Sequence, residues 1–489
     1  MRLNLMACLT AFCFFTSIFI FGCSPDKKES PMSNGARFMR AVSAADLATV
    51  KVLNEFGEPL AQAQILIGLA EGRPFTGNFV TTNTLGVAQI PTSWSTAEPV
   101  TVEAAGYVRQ TILNQMPGDL TIKLNPAYLP VPAEISGAVT SLPVVNGDKM
   151  IDFGLMMPAM TRAELLNFDL KTMISPFYDS LSVAGQSAHV PSNLSLPTQK
   201  ESYIFNLTIS KPIYRMTAPT LGPKQFFAIR GQFPFKSVID QLRAGKKFLE
   251  LLNYFSIQGG GLRDVTLLGP KTTLDIPGNE MVFNSSLKII PAAAGANEIL
   301  IAVAISEVAN SLVPTDIKRA TGVNPMSLAS LPNTPAFVVN MIKRDSELTA
   351  TKPGADRMSA VLSPYVKNEQ PVLLPLIENP SVTLADGYNI GLPPAPVRDG
   401  VQPLAVSATL SDISEIQVGA DKVEYFQHRW EIMGLGWDQN IQLPNWPLAN
   451  STSKKRLEVN FIGTTSQQPP TLNGIIDAAT HVSHSSTIF

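Results

Sequence analysis

The sequence predicts a mainly β fold, tandem β-sandwich domains with one amphipathic helical insertion near 235–256. Three observations lead there. Charged side chains make up 16% of the 489 residues and Pro occurs 39 times, where an average chain is about a quarter charged and about 5% Pro. Apolar residues recur in short period-two runs bounded by Gly, Pro, Asn and Asp, the pattern of half-buried strands between turns. One window, Phe235 to Phe255, instead carries its apolar residues at helical spacing. The length predicts two to four domains.

The first segment, 1–22, is set apart by its composition. Arg2 supplies a positive charge, and Leu3 to Phe21 is mostly Leu, Phe, Ile, Met and Ala, the make-up of an export signal. The run nearly matches a bilayer in length, so composition alone leaves cleavage and an uncleaved anchor both open. Ser24 to Ser43 is polar, contains Pro and Gly, and has neither a strand nor a helix period. The segment 23–44 therefore reads as a flexible tether.

Ile20-Phe21-Gly22-Cys23 resembles the lipobox of bacterial lipoproteins. The resemblance implies a diacylglyceryl group on the Cys23 thiol, cleavage between Gly22 and Cys23, and acylation of the new amino terminus. Ser24 in the next position implies delivery to the outer membrane. The protein is then held by its lipid, each buried methylene contributing about 0.8 kcal/mol. The cysteines are Cys8, Cys13 and Cys23, so after cleavage Cys23 is the only thiol and no disulfide can form. The folded part must rest on core burial, which a chain of this length can supply.

Residues 45–125 read as short strands with turns at Glu55 to Pro59, Gly86 and Gly106. The segment resembles the carboxypeptidase regulatory-like, or transthyretin-like, module. The resemblance rests on Gly57, Pro59, Leu60, Ala63 and Ile65, on Thr82, Gly86, Ala88 and Ile90, and on Val100, Val102, Ala105, Gly106 and Tyr107. It implies a seven-stranded β-sandwich with an accessory role and no catalytic residues.

Residues 126–330 read as a β-rich central domain. Asn146-Gly147 has the chemistry of a two-residue hairpin turn, and strands are expected at SYIFNLTI, EMVFNSSLKII, EILIAVAI and AFVVNMI. In the helix, Phe235, Val238, Ile239 and Leu242 share a face, Phe248, Leu249, Leu252 and Phe255 continue it, and Gly245 bends or divides it. Gly259-Gly260-Gly261 is expected to terminate it. The proline-rich segment 331–403 reads as extended connections or edge strands. From Leu404, four further strand patterns suggest a β-sandwich-like domain over 404–489.

The charge balance speaks against nucleic acid. Loss of Arg2 takes the 37 basic side chains to 36 against 39 acidic, a net of −3. Gly185-Gln186-Ser187-Ala188-His189 lacks the last Gly of a hydrolase elbow and reads as a loop. Ser451 and Lys454 have S-x-x-K spacing but lie in a turn-like segment, and no K-T-G follows. The four histidines, His189, His428, His481 and His484, do not cluster in sequence, and on a strand His481 and His484 point to opposite faces. No metal site and no cofactor are expected. Asp386-Gly387 reads as a turn rather than a calcium loop. Trp430, Trp437 and Trp446 suit a sandwich core or rim better than a sugar-stacking surface, and the terminal Phe489 is not read as a barrel signature.

The function expected is that of a lipid-anchored envelope lipoprotein with a non-catalytic binding, adhesion or scaffolding role. Its partners would be the membrane, through Cys23, and an envelope protein or carbohydrate. No catalytic residue and no ligand contact is assigned. The alternative is a hydrolase whose catalytic domain lies in the central region, with the sandwich module as accessory.

Overall fold

The structure, a computed structural model, describes residues 48–489 apart from 70–77, 91–92, 143–149, 162–176, 184–185, 202–206, 247, 348–355, 385–386, 419–420, 449–452 and 469–470. Gly22, Cys23, the tether, the Asn146-Gly147 turn, Asp386 and Ser451 lie outside the described residues. Those residues are mainly β, in several sheets with few helices. None of their helices is long and apolar enough to cross a membrane.

Seven strands open the fold: β1 (Thr49–Leu53), β2 (Gln64–Ile67), β3 (Val80–Thr81), β4 (Val87–Gln89), β5 (Glu98–Glu103), β6 (Arg109–Gln115) and β7 (Leu120–Lys123). They form two sheets, ordered β4-β1-β7 and β3-β2-β5-β6. Alternate residues Val50, Val52, Ile65, Val100, Val102 and Ile122 fill the core between them, as the period of two requires. The turns are fixed by side chains. Thr82 Oγ1 accepts the Ala63 N–H and donates to Leu60 O, and Asn83 Oδ1 accepts the N–H groups of Leu85 and Val87. Gly86 is needed twice over: its φ is +70°, and a Cβ there would lie 2.6 Å from Val52 O.

The second of these sheets does not stop at β6. That strand pairs in parallel with Asp421–Leu435, Arg109 opposite Trp430. Twelve strands thereby join in one sheet: Ser311–Ala320, Glu298–Val308, Ala336–Arg344, Met358–Pro364, His481–Ile488, Lys455–Thr464, Gln402–Val418, Asp421–Leu435, β6, β5, β2 and β3. A six-stranded sheet containing Met150–Pro158, Gly222–Pro234 and Ser256–Leu267 packs on one end of it. Their shared core includes Phe153, Phe227, Phe233, Phe255, Ile301, Val303 and Met341. The strands on either side of the 143–149 segment, Ala133–Thr140 and Met150–Pro158, belong to different sheets.

Helix α1 (Phe235–Arg243) buries Phe235, Val238 and Ile239 in that core, and a 3-10 turn follows at Phe248–Tyr254. Gly245, with φ +83°, divides the two. The helix is thus over before the glycine run, which lies inside the Ser256–Leu267 strand and does not terminate anything. The glycines are there because backbone comes too close for a Cβ: one would lie 2.4 Å from Met281 O at Gly259, 2.5 Å from Ala228 O at Gly260 and 2.0 Å from Pro277 O at Gly261.

The proline-rich segment also departs from expectation in part. Ala336–Arg344 is paired on both sides and lies in the interior of the long sheet. Prolines are absent from its nine residues, so its ladder is complete. Residues 371–380, by contrast, form an extended strap. Leu373, Leu374 and Ile377 are buried beneath it, and its backbone is met by side chains of His481–Ile488. His481 Nε2–H donates to Val372 O, Ser483 Oγ donates to Pro375 O and accepts the Ile377 N–H, and Ser485 Oγ donates to Glu378 O.

Candidate functional site: a polar face of the long sheet

Register places two kinds of residue on the two faces of the C-terminal strands. Leu410, Trp430, Ile432, Leu457 and Val459 face a small sheet carrying Ile390, Ile441 and Leu443, and this layer is apolar. On the other face Thr409 opposes Glu431 and Glu458, Ser411 opposes His428 and Arg456, and Asn460 opposes His484. Because side chains alternate, these polar groups lie together on one surface. Each is buried or half-buried.

At the edge of this face, four residues far apart in sequence converge. Asp356 precedes the Met358–Pro364 strand, Arg456 and Glu458 lie on Lys455–Thr464, and His484 lies on His481–Ile488. Arg456 Nη2 bonds Asp356 Oδ2 and lies 2.7 Å from Glu458 Oε1, with its Cζ 4.4 Å from the Phe426 ring centroid. Ser486 Oγ lies within hydrogen-bond distance of both Asp356 oxygens, at 2.8 and 2.9 Å. His484 Nδ1–H donates to Asn460 Oδ1 at 2.8 Å, and its Nε2 is 3.6 Å from Asp356 Oδ2. Burial alone would raise the Asp356 pKa; the bonds and charges of His484, Arg456 and Ser486 outweigh it and hold the carboxyl far below the usual range.

The neighbouring groups are shifted as well. His428 stacks on Tyr128, centroids 4.1 Å apart, and burial pushes its pKa down to about 4 against the attraction of Glu458. Burial raises the Glu431 pKa, opposed by the amide of Asn125. On the opposite face Asp412 accepts from Lys455, Arg429 and Ser453, bonds that outweigh burial and keep it ionised.

The residues singled out in sequence are spread over the fold. Ser187 is not in a loop: it lies on the strand Gln186–Pro191, paired with Ser182 in a hairpin, a geometry without a nucleophile elbow. Lys454 O accepts the Ile413 N–H at the start of a strand. His481 and His484 face opposite sides, as a strand dictates. Trp430 donates to Thr111 Oγ1 and is fully buried, Trp446 is buried beside it, and Trp437 donates to Pro393 O and packs edge-on to Phe461. The grouping of Asp356, Glu458 and His484 was missed because its signal is long-range pairing, which spacing along the chain does not carry. A cavity beside Tyr365, lined by Ile289, Val338 and Asn340, measures about 20 Å³.

No family model matches this chain, and no curated protein matches it. Among solved structures, the Bacillus anthracis TIE protein aligns at 11% identity and a TM-score of 0.15, covering 67% of this chain and 49% of that one. A streptococcal ancillary pilin aligns at 8% identity and 0.15, covering 68% of this chain and 100% of that one. BcpA, the major pilin subunit of Bacillus cereus, aligns at 8% identity and 0.15, covering 66% and 97%. The chain thus spans about half the length of the Bacillus anthracis protein.

Proposed function

We propose that this chain is a lipid-anchored protein of the bacterial outer membrane whose β body presents fixed surfaces for non-catalytic binding or scaffolding. The observation that carries the reading is Ile20-Phe21-Gly22-Cys23 followed by the polar stretch Ser24 to Ser43: a lipid attachment point, then a spacer, then a folded body. Acyl chains at Cys23 hold the body near the bilayer, and the spacer gives it reach, on the order of 25 Å for about twenty flexible residues. The scaffolding role is supported by the sheet itself. Strands from 64 to 488 share one hydrogen-bonded ladder, so surfaces borne by the first seven strands and by the last four keep a fixed relation, which suits display rather than the opening and closing of a catalytic cleft. In this reading the transthyretin-like segment 45–125 is the accessory part.

Labelling of growing cells with radioactive palmitate tests the anchor. The wild-type protein takes up label and Cys23→Ala does not, and mass spectrometry finds the acylated cysteine as the first residue. An unmodified thiol at Cys23, or a chain that still begins at Met1, would sink the proposal.

A further inference from the structure

We propose that Asp356, Glu458 and His484 form a binding site for a borderline divalent cation of the Zn²⁺ class, with the Arg456 guanidinium as the resident cation that the metal displaces. The proposal does not depend on the lipid anchor.

Three features of the geometry point to it. First, one donor atom from each residue lies within 4.8 Å of the other two, close enough for small side-chain rotations to gather them around one ion. Second, the imidazole is oriented as a ligand. With Asn460 Oδ1 accepting from Nδ1–H, His484 Nε2 presents its lone pair, the arrangement that outer-shell partners impose on metal-binding histidines. That lone pair faces a carboxylate oxygen at 3.6 Å. The gap is too long for a hydrogen bond, but bond lengths of about 2.0–2.2 Å to a tetrahedral zinc separate neighbouring donors by about 3.3–3.6 Å. Two electron-rich atoms facing one another across such a gap repel unless a cation lies between them.

Third, the charges do not cancel. Two carboxylates meet one guanidinium, and with a neutral imidazole the group carries one net negative charge in a setting where the Asp356, Glu458 and His484 side chains are only 9%, 20% and 14% exposed. Enclosed charge of this kind is costly without a counter-ion. Arg456 can yield its place, because its Cζ is stacked on Phe426 and its Nε points to Ser486. The guanidinium keeps those contacts when Nη2 releases the carboxylates. Imidazole with two carboxylates is a donor set for Zn²⁺ or its neighbours in the transition series rather than for Ca²⁺, which takes oxygen ligands alone.

The test uses the detergent-solubilised full chain titrated with Co²⁺ alone, followed by Zn²⁺ as competitor. The expected result is one Co²⁺ per chain with the visible absorption of a low-coordinate site, displaced by Zn²⁺. His484→Gln weakens the affinity by at least about tenfold, whereas His481→Gln, on the other side of the same strand, leaves it unchanged. Arg456→Gln keeps all three donors and removes the competitor, so it must tighten binding; this variant decides the matter if His484→Gln does not fold. Failure of the wild-type chain to bind stoichiometrically, Co²⁺ binding indifferent to His484→Gln, or weaker binding by Arg456→Gln each overturns the proposal.

Discussion

The guanidinium carbon of Arg109 lies 4.5 Å from the ring centroid of Trp430, its cross-strand partner. The same guanidinium lies 4.4 Å from the Trp446 ring, donates to Trp446 O and Pro447 O, and forks onto Glu103. Burial lowers the Arg109 pKa and Glu103 opposes that shift, so the group enters the junction charged. One side chain on β6 thereby fastens the first seven strands to the C-terminal part of the long sheet.

Arg109→Ala should therefore cost on the order of 3 kcal/mol, since it leaves Glu103 and two carbonyls unpaired and removes both aromatic contacts. Arg109→Lys should recover only part of this, because an ammonium cannot fork or stack in the same way. Urea unfolding of the purified chain measures both. A loss under 1 kcal/mol for the alanine variant would show that the junction does not depend on this residue.

Ser483→Ala should loosen the 371–380 strap. The hydroxyl is at once donor to Pro375 O and acceptor from the Ile377 N–H, and a buried backbone group left unpaired costs about 1–3 kcal/mol. Hydrogen exchange at the Ile377 amide should accelerate by at least about tenfold, while amides of Ala336–Arg344 keep their protection. Unchanged exchange at Ile377 would mean that the strap is held by its leucines alone.

Acid should destabilise the fold in a defined window. His428 titrates near 4 in the folded chain and about 6.5 unfolded, and burial lowers His481 in the same direction. As pH falls below 6.5 the unfolded chain takes up these protons first. Stability present above 6.5 is thus lost toward pH 4, on the order of 2 kcal/mol from His428. Glu431 works the other way. Its folded pKa is raised, so its contribution is greatest at low pH and is lost as pH rises through that value. Denaturation between pH 7 and 4 should show a shallower slope for His428→Gln and a steeper one for Glu431→Gln than for the wild type.

Two glycines should behave differently on substitution. At Gly260 an added Cβ would meet Ala228 O at 2.5 Å and the Phe227 ring at 2.7 Å, so Gly260→Ala should cost about 1–3 kcal/mol or more through overpacking. At Gly245 no atom lies within 4 Å of the added Cβ, but φ is +83°, and the cost should be about 1 kcal/mol from backbone strain alone. Thermal melts of the two variants test this. Equal losses would contradict the placement of Gly260 in a crowded strand.

What the sequence determined by itself is local. Alternation in VKVL, EILIAVAI and KRLEVNFIG sets strands, the spacing of Phe235, Val238 and Ile239 sets a helix, and Gly245 ends it, because side-chain period and backbone freedom act over a few residues. Tertiary structure decided the rest. Gly259 to Gly261 reads as a helix stop in one dimension and is a crowded strand in three, since the Met281, Ala228 and Pro277 carbonyls that exclude a side chain come from other strands. Arg109 meets Trp430, and Asp356 meets His484, across 321 and 128 positions of chain. Such meetings depend on the order in which strands pair, and that order is chosen by the burial of whole faces rather than by any pattern within one strand.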